Sequence, residues 1–439
     1  MIYNVLEYGA IGDGKKNDAA AIQAAVDACS QAGGGRVLLP GGHIYNSGSI
    51  LLKSNVDFHL EMGAILKASD DLKDYYPLAN GGEIVAHESG LPSYLNSEYN
   101  GRPFHAFLYG YDQVNVAITG FGTIDANEKM FYGDNSGYHI EGSYYPRVPL
   151  MLLEKFEHLT IQNVTLKNCA FWTVHLVGCN DVLIEGIRLI NNLQMANSDG
   201  IDPDHCTNVR IIGCHIECGD DAIVLKNSGD YNQYGPCENI LISDCTLIST
   251  SAAIKFGTEG ECDFRNILVK NCSISRSNRG ISIQIRDGGN VENVVFSNLT
   301  IETRRFSHEW WGRAEPICIT CHDRKPGVKA GKIRNIRFEN ISCMGENGIF
   351  IRGSEGNLIE DVSFDHIHLT LKKYSRWEIE GYDIRPCQGE GLIKTRVSGI
   401  YVENAKDLQF EHMKIFVEES MKPYYKQDVT LVHTEDIMI

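Results

Sequence analysis

The sequence predicts an all-β chain wound as a parallel β-helix, with a short N-terminal capping helix and long inserted loops. Three observations lead there. A phrase made of Asn or Asp, then Val or Ile, then alternating apolar residues recurs at Asp181, Asn208, Asn239, Asn266, Asn293, Asn335, Asp361 and Asp407. The steps between them are 27, 31, 27, 27, 42, 26 and 46 residues, a period that marks stacked units. Each unit holds two or three short β-rich runs and no amphipathic helix, which excludes leucine-rich and helical solenoids. No Pro/Ser/Gly-rich linker interrupts the series, so residues 1–439 are expected to form a single domain.

Residues 1–60 are the expected cap and first coils. Asp18 is placed to cap a helix whose apolar side is Ile22, Ala25, Val26 and Cys29, at i, i+3, i+4 and i+7. Gly33-Gly34-Gly35 stops it; without a strand before and a helix after, this run is no nucleotide loop. Strands are expected at Val37–Leu39, Ile50–Leu52 and Val56–Leu60. Residues 70–150 read as a loop-rich wall of a cleft, followed by strands at Val114–Ile118 and Gly122–Asp125. Their aromatics Tyr75, Tyr76, Tyr94, Tyr99 and Phe104 suit stacking on sugar rings and loop packing equally. Residues 150–439 are the regular coils. The two long steps place insertions near 302–331 and 371–400. The first carries Trp310, Trp311 and Arg313 beside Arg304 and Arg305; the second carries Tyr374, Trp377, Tyr382 and Arg385. Aromatic and Arg residues on such loops suit holding a sugar and loop packing equally.

The net charge of −17 argues against a nucleic-acid or anionic-membrane partner, and no apolar run approaches the ~20 residues of a membrane span. The opening MIYNVLEYGAIGDG has neither a basic start nor an apolar core segment, so a cytoplasmic protein is expected. The sequence leaves the oligomeric state open. Of fourteen cysteines, Cys214, Cys245 and Cys272 each fall six residues after a repeat-opening Asn and are expected to stack as buried, free thiols. Cys318 and Cys321 form a lone CxxC, which does not make a zinc site.

Chemistry concentrates between Asn197 and Lys226, in NSDGIDPDHCTNVRIIGCHIECGDDAIVLK. Asp199, Asp202, Asp220 and Asp221 flank a short apolar alternation that reads as strand, turn and strand. Asp199 and Asp220 are 21 residues apart, about one coil, so they are expected one rung apart at about 4.8 Å. Carboxylates that close do not all ionise freely, and a proton donor beside a water-activating base is what glycosidic hydrolysis requires.

With these residues in view, the chain resembles glycoside hydrolase family 28, the polygalacturonase family. The likeness runs through Tyr8-Gly9-Ala10, Gly12-Asp13-Gly14, Gly122-Thr123-Ile124-Asp125 and Phe171-Trp172-Thr173-Val174-His175 to the repeats. The family's Asn-Thr-Asp motif appears as Asn197-Ser198-Asp199, and its Asp-Asp motif as Asp220-Asp221. The resemblance implies a right-handed, pectin-lyase-like parallel β-helix and an inverting single displacement. Asp220 would be the general acid, with Asp199 and Asp221 activating water on the opposite face, roughly 6.5–9.5 Å from it. No metal or cofactor is implied. Asn197, Asp202, His175 and Lys226 are further cleft candidates on this likeness.

The departures bear on substrate. The family's Gly-His-Gly motif falls at Thr250-Ser251-Ala252, and its carboxylate-holding Arg-Ile-Lys motif at Ser282-Ile283-Gln284. Lys255 and Arg286 are nearby cations placed to take over. The expected substrate is a pectin-derived oligosaccharide, galacturonide or rhamnogalacturonan in type, attacked from one end. A neutral α-glycoside, a β-helix lyase using Lys255 or Arg286 as base with calcium on the acids, and a non-catalytic carbohydrate-binding β-helix are the alternatives.

Overall fold

The structure, a computed structural model, describes residues 1–76, 85–86, 105–135, 140–142, 144–145, 147–308, 310–356 and 359–439. It is a parallel β-helix, all-β among the described residues apart from one α-helix and short 3-10 turns. The chain divides into two compact units, Met1–Asp220 and Asp221–Ile439.

The first unit opens with the expected helix, Ala19–Gln31, which buries Ile22, Ala25, Val26 and Cys29. Asp18 stands at its N-cap but does not cap it with its side chain. Its two carboxylate oxygens accept instead from the Ile11 and Gly12 amides at 2.8 and 2.9 Å, and Asn17 Oδ1 takes the Ala19 amide at 2.9 Å. The preceding loop supplies two donors that no helical spacing discloses. Gly34 ends the helix at φ +122°, where a Cβ would lie 2.6 Å from the Asn55 carbonyl oxygen, so only glycine fits.

Strands Gly35–Leu39, Val56–Leu60, Val114–Gly120, Glu157–Gln162, Asn180–Glu185 and Thr207–Ile212 then pair in parallel, coil after coil. Their register stacks Val37, Phe58, Ile118, Ile161, Ile184 and Ile211 into one fully buried column. Each such side chain contributes roughly 1.5–3 kcal/mol by leaving water. A second column runs through Leu66, Ile124, Leu166, Leu189 and Ile216. Strands Met151–Glu154, Val174–Val177 and Ile201–Asp204 pair in parallel as a further run.

The second unit repeats the scheme with aromatic filling. Phe296, Phe338, Phe364 and Phe410 are in register and lie face to face, with centroids 4.8, 4.6 and 4.8 Å apart.

The recurring Asn or Asp has a backbone cause. All eight repeat-opening residues have φ between 50° and 58°: Asp181, Asn208, Asn239, Asn266, Asn293, Asn335, Asp361 and Asp407. Each of these left-handed residues lies within a strand and bends the chain there. Asn and Asp tolerate that conformation best after glycine. The amides also pair between coils, Asn266 Nδ2 to Asn239 Oδ1 at 3.1 Å and Asn293 Nδ2 to Asn266 Oδ1 at 2.7 Å. Cys214, Cys245 and Cys272 are buried thiols outside any disulfide. Burial pushes the Cys318 and Cys321 thiols up to about 12.

The insertions of the second unit are not open loops. Arg279 donates to Glu315 Oε2 at 3.0 Å and to the Asp383 carbonyl at 2.6 Å; the Gly312 amide reaches Asp383 Oδ2 at 3.0 Å. Arg305 joins through its amide to Glu346 and through Nη1 to the Glu378 carbonyl. These buried charges lock the two insertions to each other.

Candidate active site

The boundary between the units falls on the Asp220–Asp221 peptide bond. On the first side, the turn Met195–Asp199 is fixed from several directions. Arg147, buried, donates to the Ala196 carbonyl at 2.6 Å and to Asn197 Oδ1 at 2.8 Å, with its guanidinium 5.3 Å from the centre of the Phe171 ring. Asn197 takes a left-handed φ of 55° and its amide donates to Asp220 Oδ2 at 3.1 Å. Ser198 Oγ donates to the Met195 carbonyl and accepts the Gly219 amide. Thr173 donates through its amide and hydroxyl to the Asp199 carbonyl, and Asn191 donates to Thr173 Oγ1 and the Ser198 carbonyl. Gly219 approaches so closely that a Cβ would lie 2.2 Å from the Met195 carbonyl oxygen.

The result is a pair of buried acids, Asp199 at 3 % and Asp220 at 8 % exposure. One oxygen of each lies within 4.8 Å of the other. That limit is shorter than the roughly 6.5–9.5 Å expected for an acid and base that hold a water between them. His175 and Asp202 are side by side in register on adjoining strands, both buried, and His175 Nε2 is 3.2 Å from Asp204 Oδ2.

On the second side, Asp221 is also buried. Its Oδ1 accepts from Ser251 Oγ at 2.8 Å and the Ala252 amide at 3.0 Å; its Oδ2 accepts from Lys255 Nζ at 2.6 Å. Burial pushes this carboxyl up, but the charges of Lys255 and Lys226 and the hydrogen bonds from Lys255 and Ser251 outweigh it and hold the group below the ordinary carboxylate value. Ser251, standing where the family carries His, is thus a partner of Asp221. Lys226 is half-buried on strand Ile223–Asn227.

The cations expected to replace the family's carboxylate clamp are otherwise engaged. Lys255 spends its ammonium on Asp221. Arg286 is fully buried, and its guanidinium donates to Thr320 Oγ1 and to the Thr320, Ile285, Ile384 and Pro386 carbonyls. Ser282 and Gln284 lie on strand Arg279–Ile285, every residue of which is buried. Trp310 and Trp311 are half-buried, while Arg313 is 4 % exposed and donates to the His308 carbonyl. Tyr75 packs edge-on to Phe107 with its hydroxyl on the Ser69 carbonyl, and Tyr76 is exposed. Tyr94, Tyr99 and Phe104 lie outside the described residues.

The profile of the glycosyl hydrolases family 28 matches residues 89–383, about two thirds of the sequence. The chain belongs to that family. It is a glycoside hydrolase. Residues 2–74 of this family 28 hydrolase match a second profile, rhamnogalacturonase A/epimerase, pectate lyase-like. The hydrolase is 29% identical over 385 residues to a probable polygalacturonase of Vitis vinifera, covering 84% of this chain and 74% of the relative. It is 22% identical over 375 residues to an endo-polygalacturonase of Pectobacterium carotovorum, covering 83% and 86%. Among solved structures, its fold is similar to a family 28 exopolygalacturonase of Yersinia enterocolitica (TM-score 0.75, 19% identity, 100% of this chain and 78% of the other). It is also similar to an exopolygalacturonase of Thermotoga maritima (TM-score 0.62, 20% identity, 99% and 92%).

Arg147, Thr173, Asn191 and Ser198 escape the sequence reading. Each holds the acidic turn through a backbone or amide group, and Arg147 acts across 49 and 50 residues, so no local spacing reports them. Ser198 and Thr173 lie within the motifs Asn197-Ser198-Asp199 and Phe171-Trp172-Thr173-Val174-His175, which do not disclose what their hydroxyls hold.

Proposed function

We propose that this glycoside hydrolase acts from one end of pectin-derived oligosaccharides, of galacturonide or rhamnogalacturonan type, by a single inverting displacement. The observation that carries the reading is the acid set itself: Asp199, Asp220 and Asp221 stand at the family's motif positions, and Lys255, Ser251 and the Ala252 amide donate to the Asp221 carboxylate. In this mechanism Asp220 gives its proton to the glycosidic oxygen as the bond to the anomeric carbon breaks. A water oxygen attacks that carbon from the opposite face, and its proton passes to the carboxylates of Asp199 and Asp221. The polygalacturonase and exopolygalacturonase names of relatives and structural neighbours support the pectic substrate and the exo mode.

The sugar carboxylate is the finer question. Ser251, Ser282 and Gln284 replace the family's charged or His residues, and Arg286 is committed to carbonyls. This favours a sugar without a carboxylate at that subsite, as in a rhamnogalacturonan fragment. Chromatography of products from oligogalacturonides, rhamnogalacturonan oligosaccharides and neutral α-galactosides and α-rhamnosides tests it, with Asp220→Asn as the blank. Release of terminal residues from the rhamnose-containing set is expected. Free galacturonate from oligogalacturonides would restore a carboxylate subsite, and no turnover of any pectic substrate would end the proposal. Proton NMR of the first product checks the stereochemistry: the anomer formed is opposite to that of the bond cleaved.

A further inference from the structure

We infer that Lys255 is a positioning residue for hydrolysis: with Ser251 and the Ala252 amide it clamps Asp221 as a fixed carboxylate, in place of gripping an acidic sugar. The inference rests on the reading of Asp221 as part of the water-activating pair.

The three donors come from one short segment, residues 251–255, at the start of strand Ala252–Gly260. Ile254 and Phe256 are fully buried in the core, so Lys255 between them projects from the other face of the strand. Its ammonium reaches Asp221 Oδ2 at 2.6 Å, and its side chain is only 14 % exposed. Both Asp221 oxygens are therefore engaged by hydrogen-bond donors: an ammonium, a hydroxyl and a backbone amide. A buried carboxylate costs stability unless it is paired and hydrogen-bonded, and this one has both. Lys255 and, on the strand Ile223–Asn227 that follows Asp221, Lys226 are the cations that bear on Asp221. The acids are Asp220, its neighbour in the chain, and Asp199, whose carboxylate lies close to that of Asp220. Removing Lys255 takes away the nearest positive charge and leaves the acids.

Lys255 touches no reacting atom in this scheme. Its effect is to keep Asp221 able to receive the proton that the attacking water releases, while the proton spent on the leaving oxygen comes from Asp220. A lysine that held a sugar carboxylate would behave differently: its loss would weaken binding of acidic sugars and leave the ionisation of Asp221 alone.

The test is the pH dependence of kcat and KM for the full chain and for Lys255→Met, Lys255→Gln, Lys255→Arg and Ser251→Ala, on one acidic and one neutral substrate that the parent cleaves. In Lys255→Met the base needs a higher pH to ionise. The acid limb of kcat should move up by ~1 pH unit, a ~10-fold loss of rate well below the limb, with KM unchanged on the plateau. Lys255→Gln, which keeps a donor without charge, should show the same shift if the Met variant does not fold. Lys255→Arg should return the limb most of the way, and Ser251→Ala should move it less, in the same direction. Coincident limbs in the parent and the folded Met or Gln variant would overturn the inference. So would a rise in KM confined to the acidic substrate. Full activity in Asp221→Asn would remove the base reading itself, and the inference with it.

Discussion

The acidic turn of the first unit and the Asp221 clamp of the second hold their carboxylates by different means. Around Asp199 and Asp220 the identified contacts grip mainly the backbone: Arg147 takes a carbonyl and an amide oxygen, Thr173 takes the Asp199 carbonyl, and the Asn197 amide touches Asp220. Around Asp221 they grip the carboxylate itself, and one of them is a full positive charge. The first arrangement sets where an acid stands. The second also sets whether it is charged. A hydrolase that uses one proton donor and one proton acceptor gains from having both kinds.

The sharpest way to break this contrast is at the acid. Asp220→Asn should lower kcat by ~10²–10⁴-fold with the fold intact, read by product release and circular dichroism. Retained activity would mean the proton comes from elsewhere. Next is the support behind it. Arg147→Met should release the Asn197 turn and cost on the order of 10²-fold in kcat, because the acids lose alignment, without shifting the acid limb. A shifted limb there would erase the distinction between placing and charging.

A smaller effect concerns stability. The folded-state value of Asp221 is depressed below 3.8. Its contribution is therefore fully present above the ordinary carboxyl value and is lost as pH falls through the lowered one. Denaturant midpoints measured down this range should fall less in Asp221→Asn than in the parent. The smallest effect is expected far from the site: Asn266→Ala should cost ~1–2 kcal/mol, since alanine resists the left-handed turn, with the pH profile untouched. Asn266→Gly should lose only the amide pairing.

The coil was legible in the sequence because a periodic backbone demand leaves a periodic mark. Every repeat-opening Asn or Asp marks a left-handed turn, and the helix face Ile22, Ala25, Val26 and Cys29 is a local 3.6-residue pattern. The acids were legible because they sit in two short motifs joined by one coil. What stayed hidden acts across long separations. Arg286 reads as a free cation until its carbonyl partners, 98 and 100 residues later, are in place. Arg313 and its neighbours read as a sugar-binding loop until Arg279, Glu315 and Asp383 draw the insertions together. Lys255 was visible as a cation near the site, but its partner 34 residues earlier decided its use.

The phenylalanine column carries one more consequence. Phe296 and Phe338 are rung neighbours although 42 residues separate them, and Phe364 and Phe410 although 46 do, while Phe338 and Phe364 are only 26 apart. Each coil therefore behaves like a page in a ring binder. Material is added at the open margin while the punched holes stay aligned. New loops, and with them new specificities, enter this scaffold without asking the spine to change.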